Sequence, residues 1–88
     1  MLPDRLNARI ALTISSTIDE ERASADTASP LWRERCEVAK VAMLSDPERR
    51  IFISHVADSR GNEAATDLDQ SASRMRTSAI FILARKPS

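Results

Sequence analysis

A row of apolar residues near the end of the chain limits most strongly what it can fold into. Ala65, Leu68, Ala72, Met75, Ala79 and Ile82 are separated by 3, 4, 3, 4 and 3 residues. Alternating steps of three and four hold side chains on one face of an α-helix and scatter them over both faces of a strand. The row also alternates small and large side chains, a composition that lets another helix approach closely. Charge agrees with the assignment. Glu63, Asp67 and Asp69 occupy the first half of the segment, and Arg74, Arg76, Arg85 and Lys86 the second, a polarity that complements the helix dipole.

Glycine and proline mark the other boundaries. Gly61, the only glycine, follows Arg60 and suits a left-handed C-cap, after which Asn62 is expected to cap the last helix. The Ser45-Asp46-Pro47-Glu48 junction opens the preceding helix, which turns Phe52 and Val56 inward. Either Ser45 caps it with Glu48 returning as a capping box, or Asp46 caps it with Pro47 first in the helix. Ser29-Pro30 opens another helix, from Leu31 to about Leu44, with Trp32, Cys36, Ala39 and Met43 on one face. Pro3-Asp4 can open the first, in which Leu6, Ile10, Ile14 and Ile18 recur at every fourth position. Residues 23–29 read as a polar connection. The expected fold is all-α, a single domain over residues 1–88 built as a bundle of three to four helices. An α+β fold is the alternative. Ile10, Leu12, Ile14 and Ile18 also fit a strand period, and Ala79 to Ala84 is uninterrupted apolar sequence, so segments 10–18 and 79–84 could pair as terminal strands.

Composition removes several classes of function. Aromatic residues make up only 3% of the chain, so the core must come from aliphatic side chains and alanine. Thirteen basic and thirteen acidic residues cancel, whereas non-specific nucleic-acid binders carry a basic excess. One glycine cannot build a P-loop or a dinucleotide fingerprint. A single cysteine excludes an intramolecular disulfide and fits a reducing cytoplasm. Residues 10–18 follow two arginines and precede Ala23-Ser24-Ala25, which superficially matches a signal peptide. The Ser and Thr within that run, and the interrupting Asp19-Glu20-Glu21-Arg22, oppose it. No run approaches a membrane span, and a cytoplasmic protein is expected.

Chemistry is sparse. Cys36 and His55 could in principle meet as a nucleophilic pair, but nothing supplies an oxyanion hole, and core and surface roles fit them better. Glu63 and Asp67 can share a helix face, while Asp67 and Asp69 point to different sides, so no defined metal site is expected. No catalytic residue, cofactor or metal is assigned. Arg49 and Arg50, at the start of the helix after Pro47, could serve a helix-turn-helix that reads DNA. Glu48, Asp46, Glu34 and Glu37 nearby argue against it.

The pattern Trp32-Arg33, Cys36-Glu37, Val41, Met43, Arg49-Arg50, Val56, Arg60-Gly61, Ala64-Ala65 and Leu68 resembles a family of small helical proteins of proteobacterial phages and prophages. It covers Trp32 to Leu68 and carries no assigned chemistry. The resemblance implies a phage-type accessory protein inside a bacterial host cell, of a kind that binds and blocks a host machine such as a CRISPR effector.

The most suggestive residues are apolar. On a helix, Ile80, Phe81, Ile82 and Leu83 cover the whole circumference, and a terminal helix cannot bury all four in its own domain. A second copy or a different protein is expected to cover the remainder. The Ala-rich row and this patch are the expected contact or dimer surface, with Asp58, Glu63, Asp67 and Asp69 facing a basic partner.

Overall fold

In the computed structural model residues 5–85 are described, and they form four helices with no strand among them: α1 (Arg5–Arg22), α2 (Pro30–Ala42), α3 (Asp46–Arg60) and α4 (Asn62–Arg85). The all-α expectation holds. Segments 10–18 and 79–84 lie inside α1 and α4, which removes the paired-strand alternative. The Pro3-Asp4 start of α1, and Lys86, lie outside the described residues.

Local chemistry sets each boundary. Ser29 caps α2, its Oγ accepting the Trp32 N–H at 3.1 Å, and Pro30 follows as the first helical residue. Of the two starts open for α3, the chain takes the one with Ser45 as cap. The Ser45 N–H and Oγ–H both donate to Glu48 Oε1, at 3.2 and 2.9 Å, and hold the Glu48 carboxyl below its ordinary pKa. α2 ends at Ala42, two residues short of Leu44, because Met43 and Leu44 turn the chain into that cap.

Gly61 ends α3 with φ 96° and ψ 161°, outside the left-handed helical well expected of it. Its N–H still closes α3 on the Ala57 carbonyl, and its carbonyl accepts the Ala65 N–H as the first bond of α4. Gly61 therefore occupies the cap position, and Asn62 is the first helical residue rather than the cap. Only glycine holds this backbone region without strain, and no atom lies within 4 Å of where a Cβ would stand. Gly61→Ala is expected to cost about 1–3 kcal/mol through the backbone alone, read as a fall in the urea midpoint.

α4, about 36 Å long at 1.5 Å per residue, packs against all three other helices. Ala65, Leu68, Ala72 and Ala79 are buried against them, with Met75 partly buried on the same side. The Ala-rich row is thus the inside of this bundle and not a surface left for a partner. Ile10, Ile14 and Ile18 face it from α1, whereas Leu6, in register with them, stays 58% exposed near the helix end. The expected face of α2 turns inward in part: Ala39 is buried and Trp32 and Met43 pack half-buried against the core, with Cys36 half-buried as well, while Val41 and Ala42, outside that face, are buried completely. The bundle measures 17 Å through its shortest dimension, and few large side chains can be enclosed in so thin a layer. Ile10, Ile14 and Val41 are the largest that are.

Candidate functional site

The terminal apolar run divides between core and surface. Leu83, four residues after Ala79, continues the inward face and packs against the core, and Ile82 is half-buried beside it. Ile80 is 44% and Phe81 64% exposed. Steps of about 100° per residue turn Phe81 away from the three packed helices, so two of the four residues in the expected patch remain open to a partner.

The acidic residues are less unified than their proximity in sequence implies. Asp58, Glu63, Asp67 and Asp69 are all exposed, and none makes an ion pair among the described residues. Glu63 and Asp67 lie on the outward face of α4, on one line with Arg74 and Phe81. Asp69 instead lines the groove between α3 and α4, with Asp46, Arg50 and Ser73. Asp58 belongs to α3.

Arg49 does not present itself to a ligand. Its guanidinium donates to the Leu44 carbonyl at 2.9 Å and pairs with Asp46, and only 15% of the side chain is exposed. That leaves Arg50 exposed and Arg49 closing the end of α2, which weakens the helix-turn-helix alternative.

Arg76 was assigned no role beyond the helix dipole, yet it joins three helices. Its Nη1 donates to Asn7 Oδ1 at 2.7 Å and to the Ala42 carbonyl at 2.8 Å, and lies 3.4 Å from the Leu44 carbonyl. Asn7 in turn reaches the Met43 carbonyl at 3.5 Å. A helix end leaves its last carbonyls without intrahelical donors, and α2 has no glycine there to fold back over them. The donor comes from 34 residues beyond Ala42, a distance that no local pattern marks.

Outside this cluster, exposed ion pairs tie neighbouring helices. Arg35 grips Glu21 through two bonds of 2.9 and 2.8 Å, and Arg60 grips Glu37 at 3.3 and 2.8 Å. The Arg35 hydrogen bonds hold the Glu21 carboxyl below its usual range. Arg22 lies 5.8 Å from the centre of the Trp32 ring. With Asn7 against Met43 at the opposite end, these contacts make α1 and α2 antiparallel.

Cys36 and His55 form no paired site. Cys36 is half-buried in a shallow recess with Trp32 and Phe52, and His55 is exposed and does not line it. Among the described residues no three His, Cys, Asp or Glu side chains gather as a metal site, and no helix is long and apolar enough to cross a membrane. A further groove between α1, α2 and α4, of about 420 Å³, has Ile14, Val38, Met75 and Ile82 in its walls, with Glu34 and Arg74 beside them.

No curated protein and no solved structure matches the chain. A family described only as being of unknown function matches residues 25–79, from the connection before α2 to Ala79 in α4. That span is more than half of the chain, and the protein belongs to this family, DUF7696.

Proposed function

We propose that this protein is a small accessory protein that acts by binding another protein through the outward face of α4 near its C-terminal end. The observation that carries the proposal is Phe81. It is one of only three aromatic residues in the chain and stands 64% exposed beside Ile80 while the core closes without either. Aromatic side chains with this exposure are the usual anchors of protein contacts. Glu63 and Asp67 lie on the same line of α4 about 21–27 Å toward its N-terminal end, beyond Arg74, so a partner long enough to reach them from Phe81 would offer Lys or Arg there, as the grooves of nucleic-acid enzymes do. The phage setting and the host-machine target, a CRISPR effector among them, belong to the same proposal and draw their support from the resemblance around Trp32 to Leu68.

Capture from nuclease-treated bacterial lysate, with the tagged parent chain beside its Phe81→Asp form, tests it. A host protein retained in stoichiometric amount by the parent, and reduced at least about tenfold by the substitution, is the expected result. Equal retention by both forms, or no retained protein, contradicts it.

A further inference from the structure

The outward face of α4 is complementary in charge to itself. Glu63, Asp67, Arg74 and Phe81 follow one another at steps of 4, 7 and 7 residues, and all four are exposed, Arg74 at the lip of the groove between α1, α2 and α4. From Asn62 to Ser73 the helix carries no basic residue, and from Arg74 to Arg85 no acidic one. The helix dipole acts over the first and last turns, which accounts for Glu63 and Arg85 but not for Asp67 or Arg74. Neither Asp67 nor Arg74 has an ion-pair partner among the described residues. Glu63 and Asp67, four residues apart with like charge, oppose the isolated helix slightly. A stripe of this kind is relieved by an opposing surface with the reverse order of charge, and an antiparallel α4 supplies one.

We propose that this face is covered by a second copy of the chain, the two α4 helices running antiparallel about a two-fold axis. The inference rests on the protein-contact reading of the same face: the second copy holds it in the free protein, and a different partner must displace that copy to reach Phe81. An axis crossing α4 between Gln70 and Arg74 sets each Arg74 opposite Gln70 of the second copy, one turn from its Asp67 and within reach of it. The same axis carries each Phe81 over the first turn of the opposite α4. Exposed Thr66, Ser73 and Thr77 border the stripe and are small enough for close helix approach. A parallel arrangement would set acid against acid and base against base.

Sedimentation equilibrium of the full chain, from about 1 μM to about 1 mM, tests the pairing. The expected result is a dimer whose Kd weakens several-fold between about 50 and about 500 mM salt, and at least about tenfold in Phe81→Asp. Arg74→Glu and Asp67→Arg each place like charges across the axis and are expected to be monomeric. The double variant Asp67→Arg/Arg74→Glu inverts the stripe, restores complementarity and should regain the dimer. A parent that stays monomeric overturns the inference, and so does a double variant as weak as the single ones. Lysate capture separates this inference from the proposed function. A monomer that still retains a host protein through Phe81 removes the dimer and leaves the function. A dimer that retains nothing keeps the self-pairing and removes the target.

Discussion

Ile14→Ala is expected to lower the unfolding free energy by about 3 kcal/mol, within the usual range for emptying a buried aliphatic site. Ile14 is 1% exposed and central to α1, and among the described residues it is one of the three largest side chains fully enclosed in this thin bundle. A domain of this size holds about 4–13 kcal/mol in all, so the change removes a large share of its stability. Ile14→Val, which keeps most of the side chain, should cost about 1 kcal/mol. Urea denaturation followed by circular dichroism measures both. A loss below about 1 kcal/mol for the alanine form would mean that α1 is not docked as described.

Arg76→Met is expected to cost about 2–3 kcal/mol, although a long apolar stem remains at the site. The methionine leaves the Ala42 carbonyl and Asn7 Oδ1 without the donor that reaches them at 2.8 and 2.7 Å. Arg49 still serves the Leu44 carbonyl, so the end of α2 loosens rather than dissolves. Arg76→Lys should recover part of the loss, since an ammonium is charged but lacks the planar fork of a guanidinium. Arg74→Met, two residues away and exposed, is the control and, at low micromolar concentration where self-association adds little, should fall within about 0.5 kcal/mol of the parent. Amide exchange at the end of α2 would rise in the Arg76 variant alone. Equal behaviour of the Arg74 and Arg76 forms would contradict the clamp.

The elements were legible in the sequence wherever a boundary has a local cause. Ser29-Pro30 and Ser45 with Glu48 act within one turn, and the structure forms the hydrogen bonds that those residues call for. Gly61 was placed correctly at the end of α3, but its backbone region was not, since the path is set by the direction α4 must take. The spacing of Ala65 to Ile82 identified a face and could not say what covers it. Three helices of the same chain do, and of the expected contact surface, the alanine row with Ile80 to Leu83, that leaves Ile80 and Phe81 open. The helix spacing already set Asp69 apart from Glu63 and Asp67, and Asp69 lies in the groove beside α3 while the other two face outward; the groove itself could not be read from the spacing. Arg76 was beyond reach for a different reason. Its partners lie on two other helices, and no local pattern encodes a contact 69 residues away with Asn7.

The claim that Phe81 is free for a partner is tested most directly by the urea midpoint of Phe81→Asp, measured at low micromolar concentration where self-association adds little. The expected result is a midpoint equal to that of the parent, because a side chain 64% exposed contributes little to the fold. A fall as deep as that of Ile14→Ala would place Phe81 in the core and leave α4 with no open face to offer.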